Sequence, residues 1–284
     1  MKPVTPPSLA ACERLSESTS PVTKQSNRPE FQRVGLLLGE AVAAALEQKR
    51  VIVVGLGGVG SWAAEALVRS GIGHITLVDN DSVCPSNINR QIQALPGTIG
   101  LPKAAALMKR LLEINPRCDI AAFNQIFSLE TASLFGIEKA DYVIDAIDSF
   151  PHKLDLIQYV RGDTPGSVPV PQRPILFSSM GMARKLDPTR IKTADIWNTR
   201  GCSLARLVRQ ELKKRGFTGH FTAVYSDEQL PYHESVSYEP GESGKKKING
   251  SIVTVTAAAG MTLASLVIQD VYHTMTDQFS SEGF

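Results

Sequence analysis

Apolar residues in this chain occur in two alternating kinds of segment. Short runs without a polar face predict buried strands, and longer segments with apolar residues at helical spacing predict helices. The strands are expected at 51–54, 74–79, 118–125, 140–148 and 175–181, and the helices at 36–48, 60–70, 101–115 and 151–161. Strands that are apolar on both faces and alternate with helices predict an α/β fold with a Rossmann-like, doubly wound, mainly parallel sheet.

The same pattern suggests how the chain is organised. Residues 1–30 are rich in Pro, Ser and Thr and predict a disordered tail. Residues 31–272 are expected to form one domain, with a 273–284 tail behind it. We divide the domain into a nucleotide-binding core (31–160), a less regular substrate-binding portion (161–250, with a Pro/Gly insertion at 162–174) and a C-terminal core strand and helix (251–272).

One segment of the C-terminal portion raises the question of a membrane. Residues 251–268 carry no charge and are long enough to span a bilayer. Their Ser and Thr residues favour a buried strand followed by a buried helix, so no membrane association is expected.

Composition limits the kinds of partner and metal site. The formal net charge is only +2, so a nucleic-acid-binding surface has to be a local patch. The four cysteines form no C-x-x-C pair, which argues against a structural zinc site. Unpaired cysteines indicate a reducing compartment, and the acidic residues of the tail favour the cytoplasm over the mitochondrion.

A glycine-rich turn follows the first predicted strand. Gly55, Gly57 and Gly60 match G-x-G-x-x-G, in which the glycines allow a tight turn, a close approach to phosphate and helix packing. Asp79 ends the next strand, where a ribose hydroxyl is commonly bound. By itself this pattern is most typical of an NAD-binding unit.

Charged residues beyond Asp79 point to a nucleoside triphosphate instead. Asn87 and Arg90 follow the second strand, and Lys103 opens a helix. Arg and Lys neutralise phosphate charge, and Asp148, expected at the end of its strand, could hold Mg²⁺ together with the phosphates. The strand ends therefore converge on a triphosphate.

The series of motifs resembles the ubiquitin-activating superfamily of adenylating enzymes, to which ThiF and MoeB belong. The motifs are G-x-G-G-x-G, D-x-D-x-V, S-N-x-x-R-Q, G-x-x-K, "INP" and D-x-x-D. The resemblance implies that ATP is lined by Gly55, Gly57, Gly58 and Gly60, with Asp79 on the ribose, Asn87, Arg90 and Lys103 on the phosphates, and Mg²⁺ on Asp148.

The superfamily also implies a homodimer. An arginine before its first helix reaches into the ATP site of the partner subunit, and Arg33 occupies that position here. Many members have a second arginine three residues earlier, where this chain has Glu30. The action of Arg33 across the interface is an expectation to be tested.

A longer resemblance, over residues 33–272, is to the tRNA threonylcarbamoyladenosine dehydratases. It rests on "NINRQI", "YVIDAIDS", "CSLARLVRQELKKRG" and "GSIVTVTAAAGMTLASLVI", and the 162–174 loop departs from it. It implies ATP-dependent cyclisation of threonylcarbamoyladenosine beside the tRNA anticodon, with release of AMP and pyrophosphate. A sulfur-transfer or redox protein stays open as a further partner, which the sequence does not identify.

A basic helix in this part of the chain fits a tRNA substrate. Arg206, Arg209 and Lys213 share one helical face and are followed by Lys214, a patch that could contact the tRNA backbone. Apolar residues are expected on the opposite face, namely Leu204, Leu207, Val208 and Leu212.

Two alternatives stay open at this point. One is a ThiF/MoeB-type adenylyltransferase, or activator of a ubiquitin-like or sulfur-carrier protein, against which the missing C-x-x-C pairs count. The other is a non-catalytic nucleotide-binding protein, against which the intact Arg90, Lys103 and Asp148 count.

Overall fold

A seven-stranded sheet forms the centre of the molecule. The computed structural model describes residues 28–162, 166–169, 173–231, 237–241 and 244–281. The strand order is β3-β2-β1-β4-β5-β7-β6, and every neighbouring pair is parallel except β7 and β6. The order reverses between β1 and β4, which is where sheets of this kind bind ligands. The strands are β1 (Arg50–Val54), β2 (His74–Val78), β3 (Asp119–Phe123), β4 (Tyr142–Asp145), β5 (Ile175–Ser179), β6 (Ile191–Asp195) and β7 (Thr222–Ser226).

Helices cover both faces of the sheet, and a two-stranded hairpin lies outside it. The helices are α1 (Gln32–Leu38), α2 (Glu40–Gln48), α3 (Gly60–Arg69), α4 (Lys103–Ile114), α5 (Phe150–Arg161), α6 (Ser203–Lys214) and α7 (Val253–Ser281), and the hairpin pairs β8 (Ser237–Gly241) with β9 (Gly244–Ile248). The predicted Rossmann-like α/β class is confirmed.

Successive side chains of β1 point into two different apolar cores, one on each face of the sheet. Val51 and Val53 point to the core shared with α2, α3, α4 and α7, whereas Ile52 and Val54 point to the core shared with α5 and α6. A strand with period two that is buried on both faces has to be apolar throughout, which is why β1 has no polar face.

The C-terminal segment differs from its prediction. The expected strand and helix over 251–272 are one helix, α7, which continues to Ser281 through most of the expected 273–284 tail. The alternation Val-Thr-Val-Thr at its start mimics a strand. However, Val255, Ala259, Leu263 and Val267 are all buried at a spacing of four, so packing of one helical stripe on α3 overrides the local β preference.

This burial also bears on the membrane question. Residues 253–277 have the length and apolar composition of a membrane span. A long core helix has the same composition, and α7 packs against α2, α3 and the sheet.

Three further features differ from the prediction. The expected 36–48 helix is interrupted at Gly39, whose φ of +88° breaks it into α1 and α2. The strand expected over 140–148 ends at Asp145, so Asp148 lies in the following loop. The 161–250 portion is more regular than expected, because β6, β7 and α6 complete the sheet and its second core.

The folded domain begins earlier than residue 31. Arg28 is buried and donates to Glu47 and Asn115 at 3.0 and 2.6 Å, and its guanidinium lies over the Phe31 ring. Residues 28–30 are therefore part of the fold, whereas 1–27 of the expected tail lie outside the described residues. So do 163–165 and 170–172 of the expected insertion.

Candidate ATP and substrate site

One large cavity lies at the carboxyl edge of the sheet. Its volume is about 1160 Å³, and its wall is built by the segments that follow β1, β2, β3, β4, β5 and β7, together with the first turns of α4, α5 and α6. Ten predicted site residues line it: Gly55, Gly57, Gly58, Asp79, Asn87, Arg90, Lys103, Asp148, Arg206 and Arg209.

The glycine turn fixes one end of the cavity. Gly55 has a φ of +89°, and a Cβ on it would lie 2.6 Å from the carbonyl oxygen of Ala146. Only glycine tolerates both conditions, so β1 can turn tightly against the loop that contains Asp148. Helix α3 begins at Gly60 immediately after the turn, and the unpaired N–H groups of a helix N-terminus favour an anion.

Asp79 connects the turn to the end of β2. One carboxylate oxygen accepts a hydrogen bond from the Leu56 N–H at 2.6 Å, and the other accepts from the Asp81 N–H at 2.8 Å. Burial raises the pKa of Asp79, while Lys103 and these two N–H groups counteract part of the rise. The carboxylate is thus held at the cavity wall, where it could accept from a ribose hydroxyl.

The loop after β2 holds Arg90 by its backbone and its side chain. The Trp62 indole donates to the carbonyl of Arg90 at 2.9 Å, and Arg90 Nη1 donates to the Ser86 carbonyl and to Asn89. The other guanidinium N–H groups have no hydrogen-bond partner in the described part of the chain. Asn87 uses its side-chain oxygen to accept from the Cys84 N–H at 3.1 Å, and its amide group also lines the cavity.

Lys103 is the first residue of α4 and is almost completely buried. Its Nζ lies 2.7 Å from an oxygen of Asp81, which is itself 61% exposed. An ammonium has three donors, so Lys103 can keep this ion pair and still donate to a bound phosphate.

Asp148 is the residue that could hold Mg²⁺. It is exposed at the cavity, in the loop that packs on the glycine turn. Among the described residues there is no cluster of three or more His, Cys, Asp or Glu side chains with metal-binding geometry. A single carboxylate nevertheless fits Mg²⁺, which prefers one or two carboxylates and takes its other ligands from nucleotide phosphates and water.

The opposite end of the cavity is cationic, and only two of the four basic residues predicted on α6 lie in its wall. Arg206, exposed on α6, lines it without an ion-pair partner in the described residues, and the guanidinium of Arg209 donates to the Thr199 hydroxyl. Lys213 and Lys214 lie beyond the cavity wall. Lys213 Nζ is 6.0 Å from the centre of the Trp197 ring, and Lys214 is paired with Glu211 at 3.2 Å.

The predicted apolar face of α6 is only partly correct. Ala205, Val208 and Leu212 are buried, whereas Leu207 is 46% exposed and Leu204 faces the cavity. The buried stripe is narrower than expected because one side of α6 packs against the core and the adjacent side faces the cavity.

Comparison with known proteins assigns this arrangement to a family. The family model described as "ThiF family" matches residues 31–282. The chain belongs to the ThiF family. It is 37% identical to the Bacillus subtilis tRNA threonylcarbamoyladenosine dehydratase over 249 residues (85% of this chain, 94% of the relative). It is 35% identical to the Escherichia coli enzyme of the same name (87% of this chain, 94% of the relative).

Solved structures agree with the sequence relatives. The crystal structure of the E. coli tRNA N6-threonylcarbamoyladenosine dehydratase in complex with ATP superposes with a TM-score of 0.75 at 33% identity, covering 88% of this chain and 97% of that one. The complex of the same enzyme with AMP gives a TM-score of 0.74. The family resemblance inferred from the motifs is confirmed.

Besides Lys213 and Lys214, two further predicted residues of this ThiF-family chain lie away from the cavity. Arg33 is exposed on α1 and is not part of the cavity wall. Gly60 is not part of it either. A Cβ on Gly60 would lie 1.9 Å from the carbonyl oxygen of Gly55, so this residue permits the contact between turn and helix.

Several cavity residues of this ThiF-family site were not predicted. Asp81 pairs with Lys103, and Arg184 and Lys185 follow β5 at the cavity wall. Arg184 has a φ of +57°, and its N–H donates to the Gly250 carbonyl at 2.8 Å. A signal was present: polar residues just beyond the end of a parallel strand lie at the ligand-binding edge, and "MGMARK" follows β5 in that way.

Proposed function

We propose that this protein uses ATP to cyclise threonylcarbamoyladenosine in tRNA, releasing AMP and pyrophosphate. The observation that supports it best is the composition of one cavity. Its first end combines the glycine turn, Asp79, Arg90 and Lys103, as an ATP site requires, and its second end presents Arg184, Arg206 and Arg209 to a further anionic substrate. The named relatives act on such a tRNA substrate.

The first chemical step is adenylation of the substrate carboxylate. The carboxylate attacks the α-phosphorus, and the bond to the β-phosphate oxygen breaks with loss of pyrophosphate. Arg90 and Lys103, which both line the cavity, would stabilise negative charge on the phosphates during this in-line displacement. Asp79 holds the ribose and so fixes the α-phosphorus relative to these cations.

Asp148 would hold Mg²⁺ in this reaction. The ion, when bound, supplies neutralisation of the phosphate oxygens. The contribution of the chain is placement, because the loop with Asp148 is packed against Gly55 and therefore close to where the phosphates lie.

Ring closure follows within the same substrate. The ureido group attacks the activated carbonyl, the bond to AMP breaks, and the ring forms with net loss of water. An intramolecular attack is favoured by proximity, so no protein nucleophile is needed.

We further propose that α6 contacts the tRNA backbone through Arg206, Arg209, Lys213 and Lys214. Arg206 is the strongest candidate, because it faces the cavity without an ion-pair partner in the described residues. Lys214 is the weakest, because Glu211 already balances its charge.

A homodimer with Arg33 acting in trans is part of the proposal. Leu36 and Leu37 on the same helix are 78% and 80% exposed, an apolar surface that a second copy could cover. An Arg33→Ala subunit mixed with an Asp148→Ala subunit should recover part of the activity, because one site of the heterodimer keeps both residues. Each variant alone serves as the control, and heterodimers no more active than either variant would exclude the trans role.

We propose a reducing compartment, the cytoplasm, for this protein. Its support is that Cys84, Cys118 and Cys202, the cysteines within the described residues, are free thiols. Fluorescence microscopy of the tagged protein with a mitochondrial marker tests it.

The activity is tested by incubating the protein with ATP and tRNA that carries or lacks the threonylcarbamoyl group. AMP should form only with the modified tRNA, and the digested nucleoside should lose the mass of one water. A carrier protein ending in Gly-Gly is the matched alternative substrate. AMP or pyrophosphate exchange that depends on this carrier and is indifferent to tRNA would replace the proposal with carrier activation, and no nucleotide turnover would favour a binding protein.

A further inference from the structure

We propose that Asp145, Lys153 and Ser178 form a buried unit that positions the reacting end of the cavity without contacting the substrate. The inference rests on the proposed function. None of the three residues lines the cavity, yet Asp145 and Lys153 are hydrogen-bonded to segments that do, and Ser178 is hydrogen-bonded to both of them. They are positioning residues for adenylation.

The unit is completely enclosed. All three side chains are 0% exposed. Lys153 Nζ lies 2.7 Å from one Asp145 oxygen, and the Ser178 hydroxyl donates to the same oxygen at 2.6 Å. The three residues come from α5, β4 and β5, so the unit ties these elements together at one point.

Every polar group of the unit has a partner. Lys153 also donates to the Ser179 carbonyl at 3.0 Å and lies 3.4 Å from the Ser178 hydroxyl. The second Asp145 oxygen accepts from the Ile147 N–H at 3.1 Å. Ile147 immediately precedes Asp148, and Ser179 opens the segment that leads to Arg184. The two hydrogen bonds therefore fix the loop with Asp148 and the start of the segment after β5.

Stability alone is a weak reason for such a unit. A buried ion pair gives little net stability compared with apolar side chains of the same volume, whereas loss of one partner leaves an uncompensated charge. A fully bonded polar network does confer a fixed geometry. The hydrogen bonds of the unit end on the loop with Asp148 and on the segment after β5. The unit therefore sets the distance between Asp148, the carboxylate proposed to hold Mg²⁺, and the substrate side of the cavity.

The chain offers a matched control. Glu65 on α3 is 5% exposed and is paired with Arg110 of α4 at 2.5 Å, outside the cavity wall. Its carboxylate is buried while Arg110 is 35% exposed, and the pair joins two elements without a hydrogen bond to any residue of the cavity wall. Removal of both charges there should leave turnover unaffected.

The experiment compares two double variants, Asp145→Leu/Lys153→Met and Glu65→Leu/Arg110→Met. Four quantities are measured for each variant. They are the melting temperature, the affinity for AMP without metal, the turnover with Mg²⁺, ATP and modified tRNA, and the binding of Mn²⁺ to the protein–ATP complex. We expect both doubles to fold and to bind AMP within about threefold of the unmodified protein. Only the first should lose turnover, on the order of 10²-fold, as expected for a misplacement of about 1 Å, together with weaker Mn²⁺ binding.

The outcomes separate the two proposals. If the unmodified protein forms no AMP with modified tRNA, the proposed function fails. If it is active and the Asp145→Leu/Lys153→Met variant folds with unchanged turnover and Mn²⁺ binding, the positioning role is overturned.

Ser178→Ala covers the case in which that double variant does not fold. It removes one donor and leaves the ion pair in place. We expect unchanged AMP affinity and a turnover lower by about tenfold, as loss of one hydrogen bond to a charged group can produce. Turnover within about twofold of the unmodified protein would contradict the inference.

Discussion

The two ends of the cavity are built in different ways. At the ATP end, the glycine turn, Asp79, Asn87, Arg90 and Lys103 lie within one stretch of about fifty residues, and most polar groups have a partner already. At the opposite end, the wall combines segments after β5 and β7 with the start of α6, and its cations include Arg206, which has no ion-pair partner among the described residues.

The difference fits the two ligands that we propose for the two ends. A wall of backbone N–H groups and bonded side chains is rigid before the ligand arrives, which suits one small ligand bound in one orientation. Exposed guanidinium groups tolerate a range of phosphate positions, which suits a large, flexible RNA backbone. The predictions below test this contrast, from the largest expected effect to the smallest.

Loss of Lys103 should affect the ATP end most. Lys103→Met is expected to lower AMP formation by about 10²–10³-fold, because it removes a preorganised cation from the phosphates. Stability should change little, since the partner Asp81 is 61% exposed and can be solvated. Lys109→Met on the same helix, at an exposed position outside the cavity, is the control. Equal turnover in the two variants would remove Lys103 from the proposed machinery.

A change in the glycine turn tests the rigidity of that end. Gly55→Ala should destabilise the fold by about 1–3 kcal/mol, because alanine would hold a φ of +89° and its Cβ would meet the Ala146 carbonyl. ATP affinity should fall with it. Gly97→Ala, where no atom lies within 4 Å of the added Cβ, should behave like the unmodified protein in urea unfolding and ATP titration. A Gly55→Ala protein with normal values in both would show that the turn is not constrained.

The opposite end is tested by a pair of charge removals on α6. Arg206→Ala should weaken tRNA binding and reduce the slope of log affinity against log salt by about 1, while ATP affinity stays the same. Lys214→Ala should have a smaller effect because Glu211 already balances that lysine. Filter binding at several salt concentrations measures both. A larger effect for Lys214 would reverse the proposed order of contacts.

The smallest effect concerns pH. Burial raises the pKa of Asp79 above its ordinary value of 3.8, and a ribose hydroxyl binds the carboxylate better than the acid. ATP affinity should therefore be full above the raised pKa and decline as pH falls through it. Asp79→Asn lacks this titration, so the ratio of the two affinities cancels the protonation of ATP itself. Calorimetric titrations that give a pH-independent ratio would contradict the assignment.

How far the sequence predicts this site depends on the spacing of its residues. The ATP end follows from motifs, because a short strand, a turn and a helix within one βαβ unit have few ways to fold. The same reasoning predicts Asp148 at this edge of the sheet, and it lines the cavity although β4 ends three residues before it. Arg184 and Lys185 were missed because they lie in no motif and reach the cavity only through the position of β5.

The C-terminal region shows more clearly where prediction from local sequence fails. The Val-Thr-Val-Thr pattern predicts a strand, and the structure has a helix of 29 residues. Local preference amounts to a few tenths of a kcal/mol per residue, whereas burial of one apolar side chain contributes about 1.5–3 kcal/mol. Packing of Val255, Ala259 and Leu263 on α3 therefore decides the conformation.

The sequence by itself determined the alternation of strands and helices, the glycine turn and the order of charged residues after it, because these depend on contacts between residues close along the chain. Only the tertiary structure decided which distant segments close the cavity and that Asp145, Lys153 and Ser178 share one buried point. It also decided that, within the part of the chain that the structure describes, Lys214 has an ion-pair partner and Arg206 has none. The physical reason is that sheet order and burial, which the spacing of residues does not encode, bring these groups together.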